Sequence, residues 1–72
     1  MNATSTKFVS VAGPFEDFDF RGNETFYWEV MVTDESENIY GKVYKVFSKK
    51  RAIDLGDKIG ADRGLVVEVD CA

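Results

Sequence analysis

Hydrophobic and polar positions alternate most cleanly between Thr25 and Thr33, where Phe26, Trp28, Val30 and Val32 fall on one side at period two. Aromatic and β-branched side chains at that spacing predict a strand half-buried against a core. Upstream, residues 1–6 are small and polar and read as a loose terminus. The run Lys7-Phe8-Val9-Ser10-Val11-Ala12 favours a short strand, which the turn pair Gly13-Pro14 is expected to end. An acidic and aromatic segment, Phe15-Glu16-Asp17-Phe18-Asp19-Phe20, follows and closes at Gly22-Asn23. Beyond the polar turn Asp34-Glu35-Ser36-Glu37-Asn38, residues Ile39 to Phe47 predict a second long strand. Ile39, Val43 and Phe47 lie on one side of it, and Tyr40, Tyr44 and Val46 on the other. Strands joined by so short a turn pair antiparallel, as a hairpin.

At Ser48 the period changes. Ser48 is a good N-cap, and the residues after it place Ala52, Leu55, Gly56 and Ile59 on one helical stripe with Ile53 beside it. The helix is expected to end near Gly60, with Gly64 marking the next turn. Its first turn holds Lys49, Lys50 and Arg51, where the dipole prefers acids, at a cost of a few tenths to about 1 kcal/mol. A glycine at mid-helix costs roughly 1 kcal/mol against alanine, so Gly56 is expected to serve close packing on a bulky sheet residue such as Trp28. Leu65 to Asp70 alternates as a final strand with Leu65, Val67 and Val69 inward. The expectation is one small α+β domain over residues 1–72, ordered β-β-β-α-β. It has an antiparallel sheet of three to four strands and one helix packed on a face. Its core should centre on Phe26, Trp28, Val30, Val43, Leu55, Ile59, Val67 and Val69.

Composition narrows the chemistry. With 72 residues the core is one layer on another, and ten large rings (six Phe, three Tyr, Trp28) supply much of its area. No apolar run approaches the ~20 residues that span a bilayer, and no basic start leads into a hydrophobic stretch, so a cytoplasmic protein is expected. Cys71 has no partner in the chain and reads as a free thiol or, less simply, one half of an intermolecular disulfide. With no basic start leading into a hydrophobic stretch, the sequons at Asn2 and Asn23 are expected to be chance matches. Histidine is absent, which removes the ready general base, the imidazole ligand and the Ser-His and Cys-His pairs. Neither an enzyme nor a cofactor is expected. Glu16, Asp17 and Asp19 lack EF-hand spacing, and no metal site is expected there either.

Charge is uneven. The chain carries a net −4; residues 1–36 hold two basic and seven acidic side chains, residues 37–72 seven and six. Such a dipolar surface steers association with a charged partner. Lys42, Lys45, Lys49, Lys50 and Arg51 form a basic cluster, but overall acidity argues against direct nucleic-acid binding. The acids Glu16, Asp17, Asp19, Glu24, Asp34, Glu35 and Glu37 are either an ordinary solvated surface or a set that occupies a basic groove on a partner. The three phenylalanines of 15–20 either pack into the core or lie exposed as an interface. The residues expected to contact a partner are therefore Phe15, Glu16, Asp17, Phe18, Asp19 and Phe20, the turn acids Asp34, Glu35 and Glu37, and the helix start Lys49, Lys50 and Arg51.

From Thr25 onward the layout resembles the small bacterial RNA polymerase inhibitors of T7-like phages. The resemblance rests on the aromatic strand Phe26-Tyr27-Trp28-Glu29-Val30, the acidic turn, and the run Val43-Tyr44-Lys45-Val46. It continues through Ala52 and Leu55 on the helix, the valine-rich last strand and Cys71. It covers about two-thirds of the chain and is one of layout. That family's helix is acidic and its last strand carries arginines, whereas here the helix opens Lys49-Lys50-Arg51 and the last strand holds Glu68 and Asp70. The contact chemistry therefore does not carry over residue by residue. The resemblance implies a small phage protein, comparable in build to anti-CRISPR proteins. Such a protein binds and inhibits a host assembly such as RNA polymerase or another nucleic-acid-handling complex. The alternative is an accessory module that forms a homo-oligomer, a homodimer for instance, through a sheet edge.

Overall fold

In the computed structural model, which describes residues 6–71, the five expected elements appear in the expected order. They are β1 (Phe8–Phe18), β2 (Glu24–Thr33), β3 (Tyr44–Val46), α1 (Lys49–Arg63) and β4 (Val67–Cys71). The architecture is α+β: a four-stranded sheet in the order β3-β2-β1-β4 with α1 across one face. β2 pairs antiparallel with β1 and with β3, while β4 joins β1 in parallel, so the sheet is mixed. Because β3 and β4 run the same way, α1 is the crossover that parallel strands require. Among the described residues, no helix is long and apolar enough to cross a membrane.

β1 does not stop at Gly13-Pro14. It runs through them as a bulge, with the register against β2 shifting between Ala12 and Phe15. Gly13 sits at φ 141°, and a Cβ there would lie 2.7 Å from Trp28 Cδ1, so only glycine fits. The extra residue reverses the alternation. Val9 and Val11 pair with Val32 and Val30 on the helix side, whereas Phe15 and Asp17 pair with Tyr27 and Thr25 on the opposite face.

The buried core is Val9, Val11, Val30 and Val32 from the two central strands, with Ala52 from α1. Ala52, Gly56 and Gly60 form the buried stripe of the helix, spaced by four. A Cβ on Gly56 would stand 2.5 Å from Val11 Cγ2, and one on Gly60 2.6 Å from Val67 Cγ2. The close approach expected at Gly56 is therefore real, but its partner is Val11 rather than Trp28. Trp28, Leu55, Ile59 and Val67 ring this core half-buried; Phe26, Val43 and Val69 are exposed instead of central. The 15-residue α1 touches all four strands but leaves Phe26, Val43 and Val69 outside its cover.

Ser48 caps α1 as expected, its Oγ accepting from Arg51 N. The helix continues past Gly60 to Arg63 and ends at Gly64, whose φ of 66° and N–H to the Gly60 carbonyl close it. Of the expected strand 39–47, only Tyr44–Val46 pairs as a ladder; Ile39 makes one bridge to Thr33, and Gly41, at φ 88°, breaks the run. Cys71 ends β4 as a free, half-buried thiol.

Gly56→Ala tests the helix seat. Helix propensity alone favours alanine by roughly 1 kcal/mol, yet overpacking costs about 1–3 kcal/mol. We expect net destabilisation, read as a fall of several degrees in the midpoint of thermal unfolding. A rise would mean that the helix lifts off Val11 at little cost.

Candidate functional site

Beyond the reach of α1, β1 and β2 continue as a two-stranded arm, from the Phe15–Tyr27 pair to the Phe18–Glu24 pair. The molecule accordingly measures 52 Å along its long axis and 22 and 21 Å across. One face of the arm base holds Phe15 against Tyr27, with ring centroids 5.4 Å apart. Lys45 reaches over from β3: its Nζ is 2.9 Å from Asp17 Oδ2, 4.3 Å from the Tyr27 ring centroid and 5.7 Å from that of Phe47. The hydrogen bond from Lys45, followed by that from the Phe18 N–H, holds the Asp17 carboxyl below the usual carboxylate range; the same ion pair raises Lys45. Glu16, Phe18, Glu24 and Phe26 take the other face by alternation. At the tip Phe20 is 93% exposed and Phe18 63%. The acidic-aromatic segment is therefore surface, not core.

Two turns of the same construction close the two ends of β2. In the arm tip, Asp19 Oδ1 accepts from Arg21 N and Asn23 N, Oδ2 accepts from Asn23 Nδ2, and Gly22 N donates to the Asp19 carbonyl. In the turn after β2, Asp34 Oδ1 accepts from Ser36 N and Asn38 N, Oδ2 accepts from Asn38 Nδ2, and Glu37 N donates to the Asp34 carbonyl. Each places its fourth residue at positive φ, Gly22 at 83° and Glu37 at 63°. The second turn adds the Tyr40 hydroxyl, which donates to Asp34 Oδ2 at 2.5 Å. Tyr40 lowers Asp34 most, and Asp34 raises Tyr40 in return; Asp19 is lowered chiefly by the Asn23 N–H.

The three groups of expected contact residues do not converge. Phe15 to Phe20 lie at one end of the hairpin and the 34–37 turn at the other, about 33 Å apart along β1 at ~3.3 Å per residue. Lys49, Lys50 and Arg51 are exposed beside the arm base, just after the pairing of Val46 with Trp28, and Lys50 pairs with Asp54 at 3.0 Å. Asp34 needs correcting as a contact residue. It is 2% exposed, and its carboxylate is consumed within its own turn; Glu35 and Glu37 remain exposed. Asp19 is exposed but serves the tip turn.

One surface escaped the sequence reading: the sheet face away from α1. There Phe8 and Met31 sit half-buried beside exposed Ile39 and Val66, with Glu68 and Asp70 along β4. Its signal was present, since a single helix cannot cover both faces of four strands. What is defined is a class: a small α+β domain whose mixed sheet is covered on one face and drawn out into an aromatic arm. The chain matches no known protein family, curated protein or solved structure.

Asp17, Asp19 and Asp34 all titrate below their ordinary range. The stability they contribute is complete above about pH 4 and is lost as pH falls through their folded values. Asp34→Asn leaves one acceptor oxygen, which cannot serve both the Ser36 and Asn38 N–H groups and the Tyr40 hydroxyl with Asn38 Nδ2. We expect it to lower the unfolding midpoint at pH 7, by a margin that shrinks on acidification below about pH 4. Glu37 offers a second check, because a left-handed residue costs roughly 1–2 kcal/mol without glycine. Glu37→Gly should leave chemical stability unchanged or raised by up to about 1 kcal/mol, whereas Glu37→Val should lower it.

Proposed function

We propose that this chain is a non-enzymatic, phage-type protein that acts in the host cytoplasm by binding and inhibiting a larger macromolecular machine. RNA polymerase or another nucleic-acid-handling complex is the target class to which the sequence resemblance points. The observation that carries this reading is the arm. Phe18 and Phe20 stand in solvent on a two-stranded support whose tip is tied by Asp19. Exposed aromatics flanked by charge mark contact surfaces, and buried aromatic anchors dominate binding energy once a partner covers them. Glu16 and Glu24 on the arm, with Glu35 and Glu37 at the far turn, supply a field that speeds encounter with a basic surface. The lack of histidine supports binding over catalysis.

A tagged pull-down from bacterial lysate at low and moderate salt tests the proposal. Stoichiometric capture of polymerase subunits, or of another nucleic-acid machine, weakened by salt, is the expected result. Phe18→Ser with Phe20→Ser should lose that capture, as anchors worth about 2 kcal/mol or more do, while thermal unfolding stays unchanged. Charge reversal of Lys49, Lys50 and Arg51 should weaken it less. Recovery of the bait alone from several hosts would sink the proposal.

A further inference from the structure

β4 is an edge strand, hydrogen-bonded to β1 on one side and to no strand on the other among the described residues. Its side chains alternate in kind as well as in direction. Val67 and Val69 share the helix side with their partners Val9 and Val11, and Val69 is 49% exposed. Glu68 and Asp70 share the bare face with Ser10 and Ala12. Beside those two acids, Phe8, Met31, Ile39 and Val66 floor a trough of about 680 Å³. No lysine or arginine lines it, and neither Glu68 nor Asp70 is held in an ion pair among the described residues. Natural edges are usually blunted by charged side chains, proline or a bulge; β4 has no proline or bulge, and its only charges are the carboxylates of Glu68 and Asp70.

We propose that the β4 edge binds an extended segment of a partner protein in which lysine or arginine alternates with aliphatic residues. Added as a fifth strand, such a segment takes up the free backbone N–H and C=O groups of β4. Its basic side chains then fall beside Glu68 and Asp70 on the bare face, and its aliphatic ones beside Val67 and Val69. The same charges select against a second copy of this chain. Pairing β4 with another β4 sets carboxylates against carboxylates, and like charges across strands destabilise a ladder. The surface is separate from the arm, so this proposal and the arm-based one fail independently.

The probe is a fluorescein-labelled peptide of alternating lysine and valine, titrated with the full chain and followed by anisotropy. We expect saturable binding that weakens with salt, and no binding of the glutamate–valine counterpart. Glu68→Lys with Asp70→Lys should cost at least about tenfold in affinity for the lysine peptide and create affinity for the glutamate one. A lysine–valine peptide N-methylated throughout keeps its side chains but loses its donors, and should not bind. Phe18→Ser with Phe20→Ser should bind the lysine peptide as the parent does. Equal binding of the N-methylated peptide, or of both charge types, would overturn the proposal. So would sedimentation equilibrium showing a dimer that the Glu68→Lys and Asp70→Lys changes abolish.

Discussion

The seating of α1 on bare backbone is the constraint from which the rest of the molecule follows. Ala52, Gly56 and Gly60 present almost no side chain, so the helix axis settles directly onto Val11 and Val67. This brings Val9, Val11, Val30 and Val32 to full or nearly full burial with one helix and without a large aromatic at the centre. Valines suit such a seat: their branched side chains are stiff and fill a pleated surface evenly. The arrangement also fixes what stays uncovered. With α1, the one helix among the described residues, packed on a single face, the protein leaves the arm, the second face and the β4 edge to solvent.

Those elements with a strong period of their own were legible in the sequence. β2 was read almost to its ends, and the helix start was read from Ser48 because capping is local chemistry. β1 was read only halfway, because the bulge at Gly13-Pro14 shifts the alternation: odd positions point to the helix before it and away from it after it. The direction of β4 was not legible, since alternation marks which residues share a face and carries no information on parallel or antiparallel pairing. Phe26, Val43 and Val69 looked interior by hydrophobicity, but burial depends on what lies opposite, and α1 reaches none of them fully.

The acidic residues divide in a way that composition concealed. Asp17, Asp19 and Asp34 are structural, accepting hydrogen bonds that hold the arm to β3 and lock both turns. Glu16, Glu24, Glu35, Glu37, Glu68 and Asp70 are exposed and accept no side-chain hydrogen bond among the described residues. At the two turns side-chain length matters: Asp19 and Asp34 reach the backbone N–H groups two and four residues on, which a glutamate would overshoot. The spacing shared by Asp19 with Asn23 and Asp34 with Asn38 was the signal, and it marks turn geometry rather than binding.

The parallel pairing of the last strand with the first also shapes how the chain reaches its fold. The β1–β2 hairpin and its caged turns join residues close in sequence, whereas the pairing of Val9 with Val67 closes nearly the entire length of the chain. Closing so long a loop adds little to the entropy cost per residue, but pairings of this kind slow the passage to the native state. During synthesis, the hairpin and its aromatic arm emerge well before α1 and β4 exist to complete the valine core. The most exposed apolar surface of the finished protein is thus also among the first that a folding helper or an aggregating neighbour meets.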